Sequence, residues 1–318
     1  MNLEDLGKRV KLKRRVSGIS AVLLPYANGK IDEAGFRHHL KRTTAAGLRA
    51  AVNMDTGYGD LLTAEEKQRV LAWTRETVGD TDWFAAGALP AVNQGPAELA
   101  YLRECATIVE AGAVPVIFPS AMTAALDDAG LMRFFGEIAS TIRRFIAFEL
   151  GTMFNPHGRM YSEKVLRGLM ELPQCLGVKH SSLDRAMEIE RLDLRDRVRA
   201  DFVIYTGNDL AADMIEYGSG YLLGLSTFAP EVFAARDRAW LEGRAGYYEL
   251  RDFIQYLGWI GFREPVPAYK HSAAIFLKLT GGLESDESHP CAPRRDAWDR
   301  QILADAANRM KSLENLLK

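Results

Sequence analysis

The 318-residue chain is 47% hydrophobic and 26% charged, with a formal net charge of −2, a profile that excludes a disordered or collagen-like chain and fits one large or two ordinary globular domains. No dense basic stripe interleaved with aromatics gives a footprint for nucleic acid, and no apolar run is long enough to span a bilayer. Cys105, Cys175 and Cys291 lie far apart without CxxC spacing, and the six histidines include no HExxH, so neither a disulfide framework nor a metal site is expected and a reducing cytoplasm fits.

From the N-terminus, the basic run KRVKLKRR at 8–15 reads as a solvated arm. The apolar ISAVLLPY that follows is too short for a secretory h-region and leads into a turn. Apolar runs then recur at 18–24, 49–54, 83–89, 114–118, 145–150, 175–179, 202–207 and 221–226, each a candidate strand. Between them lie amphipathic helical patterns such as 33–47, which carries His38 and His39 on a polar face, and 64–79. Thr63 with Glu66 offers a capping box, and Gly47 and Gly79 stand where C-caps belong.

Strands apolar on both faces, alternating with helices, predict a parallel sheet covered by helices. Eight units, with no GxGxxG after the first strand, favour closure into a (β/α)8 TIM barrel over a dinucleotide-binding sheet. Beyond Phe228 the strand signal stops. The expected organisation is an N-terminal arm at 1–16, a barrel at 17–229 and a C-terminal helical extension at 230–318, with a Gly, Ser, Asp and Pro rich connector at 281–295.

QCLGVKHSSL at 174–183 puts Lys179 where an apolar run stops. It is either a surface lysine marking the strand's exit or a desolvated amine able to attack a carbonyl. Barrel chemistry sits at the C-terminal strand ends, and period-two alternation groups Cys175, Gly177 and Lys179 on one face. If that face is interior, the neutral amine is favoured. The other strand ends, MDTGYGD (54–60), FPSAM (118–122), FELGTMFNPHG (148–158), YTGND (205–209) and GLSTF (224–228), are rich in small and hydroxyl residues suited to close approach by a small ligand. Ser181 or Ser182 can cap a helix beginning near Leu183, with its amides toward the pocket.

These motifs, in this order, resemble the dihydrodipicolinate synthase and N-acetylneuraminate lyase superfamily of class I, Schiff-base-forming 2-keto acid lyases. GISAVLLPYANGKIDEAGFRHHL is similar to that family's opening strand, turn and helix, and MDTGYGDLLTAEEK stands at its G-T-T-G-E loop. LGVK stands at the G-[IV]-K strand, YTGND at the glycine and acidic loop, and EPVPAYKHSAAIFLKLTGG at the N-P-[IV]-P-x-K helix motif. The resemblance spans 17–283 and implies that Lys179 forms the imine. It also shows departures. Phe148 stands where the family has a proton-relaying tyrosine, Ala121 where it has a second tyrosine, Asp55 and Thr56 where it has two threonines for the substrate carboxylate, and Tyr58 where it has a glutamate. The longer segment GTMFNPHGRMYS has no clear match for the arginine that some members use on a distal carboxylate.

The candidate catalytic residues are therefore Lys179, Asp55 and Tyr58, with His180 considered and set aside because alternation turns it from Lys179. Glu149 likewise turns from Phe148 toward a neighbouring helix. Candidate substrate-binding positions are Thr56, Gly57, Phe148, Gly207 and Leu223. The expected function is a cytoplasmic lyase, aldolase or dehydratase on a 2-keto acid such as pyruvate, with sugar-derived acids among the candidates, using no metal or organic cofactor and assembling as a dimer or tetramer. The alternatives are a same-fold enzyme using Asp55 as base without an imine, and a keto-acid-binding protein without turnover.

Overall fold

The computed structural model describes residues 3–79, 83–91 and 95–317. Eight parallel strands close into a barrel: β1 Gly18–Ala21, β2 Arg49–Val52, β3 Phe84–Ala88, β4 Ala113–Ile117, β5 Phe145–Leu150, β6 Cys175–Ser181, β7 Val203–Thr206 and β8 Gly220–Leu223. Each pairs with its sequence neighbour, and β8 pairs with β1. Every run read as a strand is one, because a barrel strand is buried on both faces. Inner side chains such as Ile19, Ala51, Ala85, Val116, Ile146 and Leu222 fill the lumen. Outer ones such as Ala50, Val52, Ala86, Ile117 and Ile204 pack beneath the helices.

The helix Ala64–Val78 begins with the reciprocal Thr63–Glu66 capping box, and Gly79 ends it at φ +76°. The helix Glu33–Ala45 corrects the reading of His39: it shares the buried face with Phe36, Leu40 and Thr43, and its Nε2 lies 2.7 Å from Thr227 Oγ1. The basic run is solvated at Lys8, Lys11, Lys13 and Arg15 but docked at Arg9 and Arg14, which are half-buried. Arg14 donates to the carbonyls of Ile215 and Ser219, Arg9 pairs with Asp193 and Asp196, and Lys11 O accepts from Trp240 Nε1. The carbonyls of the turn before β8 and carboxylates of the helix Arg185–Val198 supply the acceptors that water would otherwise provide.

Beyond the barrel come the helices Pro230–Glu242, Tyr247–Gly261, Tyr269–Leu279 and Asp299–Ser312. Residues 1, 2 and 318 of the expected arm and extension lie outside the described residues.

Candidate active site

The C-terminal mouth of the barrel opens into a cavity of about 160 Å³. Its wall is built from strand ends: Asp55 and Thr56 after β2, Phe118 after β4, Leu150 and Ser181 closing β5 and β6, Gly207 and Asp209 after β7, and Gly224 after β8. Phe262 and Tyr269 reach it from the helical region.

Lys179 sits within β6, two residues before the strand ends at Ser181, opposite Phe148 on β5 and Tyr205 on β7. These three side chains share the inner face. Below the lysine, Gly177 is required: a Cβ there would collide with the Val203 carbonyl and come within 2.9 Å of the Tyr205 ring. Cys175, expected on the same face, belongs to the outer layer instead, because the β5–β6 register shifts between Phe145 and Ile146. An irregularity of this kind inserts one residue and inverts the alternation below it.

The amine of Lys179 lies 4.4 Å from the centroid of the Phe148 ring and makes no hydrogen bond or ion pair among the described residues. Burial lowers its pKa from 10.5 to about 8, with Asp209 and then Asp55 pulling back upward. Roughly a tenth of the amine is then neutral at pH 7, several hundred-fold more than for an ordinary lysine.

Asp55 is committed elsewhere. Its Oδ1 accepts from Lys270 Nζ at 2.9 Å and its Oδ2 from the Tyr269 hydroxyl at 2.7 Å. Since the tyrosine proton goes to the carboxylate, the Thr56 hydroxyl donates to Tyr269 Oη at 2.9 Å. About half of the Asp55 side chain (53%) still faces the cavity. Burial pushes its carboxyl up, but the Lys270 charge and the two hydrogen bonds outweigh that and hold it below the usual value. Lys270 thus offsets the rise that burial alone would cause in Asp55. Gly224 makes the cluster fit: a Cβ there would lie 2.9 Å from Thr56 Oγ1 and 3.0 Å from the Tyr269 ring.

Asp209 is the uncommitted acid. Its Oδ1 accepts from Leu225 N at 2.7 Å, and it forms no ion pair among the described residues. Burial raises its pKa to about 7 against the opposing pull of the Leu225 amide and Lys179. Oppositely charged Lys179 and Asp209 therefore titrate within about a unit of each other on one cavity wall.

Other expected positions are not on that wall. Tyr58 follows a short 3-10 turn at Asp55–Gly57 and adopts a left-handed backbone, φ +58°. This swings its fully buried ring away, to pack edge-on against Tyr26 at 5.6 Å and beside His289. Burial pushes its hydroxyl pKa up, the reverse of what an acid–base role needs. Gly57 is buried against the carbonyl of Val22, and Leu223 joins the outer layer while Leu222 points inward. Gly207 does line the cavity, where a Cβ would collide with Ser181 Oγ and sit 3.0 Å from Lys179 Cε.

On the outer face His180 is fully buried, with Nδ1 2.6 Å from Glu149 and Nε2 2.6 Å from Ser182 Oγ. Arg191, on the helix Arg185–Val198, completes the pairing of Glu149. Asp184, not a serine, caps that helix, because Ser182 Oγ is bound to His180. Arg159, the arginine of the long segment after β5, turns to Asp128 at 2.7 Å. Among the described residues no group of three or more His, Cys, Asp or Glu is placed to hold a metal ion, and no helix is long and apolar enough to cross a membrane.

Comparison with known proteins agrees with this layout. No family model matches the chain. A 4-hydroxy-tetrahydrodipicolinate synthase of Kosmotoga olearia is 27% identical over 233 residues, 70% of this chain and 75% of that one. The dihydrodipicolinate synthase of Thermotoga maritima superposes with a TM-score of 0.80 at 17% identity, covering 94% of this chain and 99% of that one. In sequence the chain is similar to this 4-hydroxy-tetrahydrodipicolinate synthase, and in fold to structures of the dihydrodipicolinate synthase and N-acetylneuraminate lyase superfamily. A further superfamily structure, from Acinetobacter baumannii and solved in complex with pyruvate, covers 94% of this chain and 99% of its own at 17% identity and a TM-score of 0.77.

The sequence did not single out Tyr269, Lys270 or Asp209. The last lay inside the quoted YTGND without a role. The first two were detectable in principle, since an acid in an apolar pocket calls for a cation.

Proposed function

We propose that the chain is a class I lyase that holds a 2-keto acid as an imine on Lys179. The observation that carries this reading is an inward-facing, uncommitted lysine amine whose pKa burial brings to about 8. The pyruvate complex of the Acinetobacter relative supports a keto acid as the ligand.

In this reading Lys179 starts as an ammonium and passes one proton to Asp209. Its lone pair then forms the bond to the keto carbon while the carbonyl π pair moves to oxygen. A second nitrogen proton transfers to that oxygen, giving the carbinolamine. The stored proton returns from Asp209 as the carbon–oxygen bond breaks, water leaves, and the nitrogen pair closes the protonated imine. The lysine loses two protons and the water gains two, so nothing external is consumed. Asp209 fits the role because its pKa lies near the working pH. Asp55, neutralised by Lys270, no longer opposes a substrate carboxylate near Thr56. Phe148 brings its ring, not a hydroxyl, to Lys179, which weighs against dihydrodipicolinate formation as such. Cleavage, condensation and dehydration all share the imine and its enamine.

A base mechanism through Asp55 without an imine is disfavoured by the ion pair to Lys270. A cytoplasmic setting and a dimer or tetramer, tested by sedimentation at micromolar concentration, belong to the same reading. The deciding experiment is borohydride reduction in the presence of pyruvate, followed by mass spectrometry of the peptide carrying Lys179. Labelling at Lys179 is expected. Its absence with pyruvate and with longer 2-keto acids would overturn the imine, and labelling without turnover of any trapped acid would leave a binding protein.

A further inference from the structure

We infer that the substrate extends beyond its 2-keto acid head into an apolar, aryl-type tail with no second carboxylate. This rests on the imine reading for the position of the head, and on the opposite side of the cavity for the tail.

Next to Lys179 the wall is aromatic, with Phe118 and Phe148 meeting edge to face at 4.9 Å. Further out, the segment after β5 puts Met153 and Phe154 on the rim, and they are 64% and 39% exposed. Large apolar side chains held open to water around a cavity that already carries a reactive group mark a binding surface for apolar matter.

Charge points the same way. Lys179 is the only cation among the described lining residues, whereas Asp60 and Asp209 are acids and the charge of Asp55 is already balanced by Lys270. Arg159, the arginine of the same segment as Met153 and Phe154, is held by Asp128. A second carboxylate on the substrate would face acids and phenyl rings.

A polyol tail gains less, because the amide and hydroxyl side chains of the wall are largely engaged and the acceptors left open are the carboxylates of Asp60 and Asp209. The Asn155 Oδ1 accepts from His157 N at 2.8 Å, Ser181 donates to the Gly207 carbonyl, and Asn53 Nδ2 donates to the Lys67 carbonyl. The Oδ1 of Asn53 is the one buried acceptor of this wall without a partner among the described residues. It suffices for a single hydroxyl. The sugar-derived tail expected from sequence therefore finds fewer partners here than an apolar one.

The test compares 4-phenyl-2-oxobutanoate, 2-keto-3-deoxygluconate and 2-oxoadipate in borohydride labelling of Lys179, read as the concentration giving half-maximal labelling. Calorimetric binding of 4-phenylbutanoate and of gluconate is measured alongside, since these acids form no imine. The aryl acid should label at a concentration at least about ten-fold lower than either competitor, the scale of one apolar group matched to an apolar pocket. Phe154→Ala should narrow that ratio, and Phe154→Arg should move preference toward 2-oxoadipate. Equal labelling by all three acids, or preference for the polyol, overturns the inference while leaving the imine standing. If Lys179 is never labelled but 4-phenylbutanoate binds in preference to gluconate, the tail assignment stands and the imine falls. No preference in either assay removes both. If Phe154→Ala alters sedimentation and leaves the ratio unchanged, the rim is a contact between copies and the tail assignment is wrong.

Discussion

Placing a carboxylate where the Phe148 ring now lies should undo the activation of Lys179. The ring centroid is 4.4 Å from Nζ. A glutamate carboxylate there would stabilise the ammonium by about 3–4 kcal/mol at an effective dielectric of about 20, equivalent to roughly two to three pKa units. That returns the amine from about 8 to the ordinary lysine range. At about pH 7.5 the neutral fraction then falls from roughly a quarter to roughly a thousandth. The assay is the rate of borohydride-trapped labelling with pyruvate across pH, for wild type, Phe148→Glu and the uncharged Phe148→Gln. Wild type and Phe148→Gln should share a midpoint near 8, and Phe148→Glu should move it above 10. A midpoint common to the glutamate and glutamine variants would refute this account of the lysine, including through a glutamate that stays protonated. So would a wild-type midpoint already at the value of a free lysine.

Lys179→Ala and Lys179→Arg should both abolish labelling with the fold intact by circular dichroism, since a guanidinium is charged at all working pH values and is no nucleophile. Lys179→Met should be more stable than wild type at pH 7, by up to about 3 kcal/mol in urea melts. The folded lysine has a depressed pKa, so the unfolded chain binds more protons between about 8 and 10.5; the advantage of the methionine variant should shrink over that window and vanish above it. Asp209→Asn should slow imine formation by about 10²-fold or more and remove the limb near pH 7 from the rate profile, even though losing that carboxylate lowers the lysine pKa further and raises the neutral fraction. A faster rate would show that Asp209 acts only through its charge. Glu149→Ala leaves Arg191 and His180 facing a void and should cost about 3–5 kcal/mol by denaturant titration. Because the Glu149 pKa is held below its ordinary 4.5, wild type should lose this contribution only as pH drops below that value, while the variant shows no such loss.

The fold was legible because a barrel strand hides both faces, and an unbroken apolar run of five or six residues between amphipathic segments fits few positions besides a strand covered on both sides. The inward direction of Lys179 and Phe148 followed from simple alternation, which holds near the C-terminal end of β5 and β6. Alternation failed where the backbone leaves regular geometry. The register shift near Phe145 turned Cys175 outward, and the left-handed backbone at Tyr58 carried its ring away from the loop's other side chains. Leu223, expected at the site, is instead the outward neighbour of the inward Leu222, since successive side chains of a strand point to opposite faces. Tyr269 and Lys270 were missed for a different reason: they meet Asp55 across more than two hundred positions of chain, and while a buried acid calls for a cation, no local pattern names which one at that distance.

That long reach from Asp55 to Tyr269 and Lys270 also fixes when the cavity comes into being during synthesis. All eight strands have left the ribosome well before residue 269, so the barrel can begin to close with Asp55 unbalanced on its rim. Until the helix Tyr269–Leu279 docks, the rim carries an extra negative charge and Thr56 lacks its hydroxyl partner. A nascent chain arrested short of this helix would thus present a barrel mouth that repels an anionic acid. If the mouth takes the proposed keto acid, its competence to bind then depends on one of the last helices to emerge.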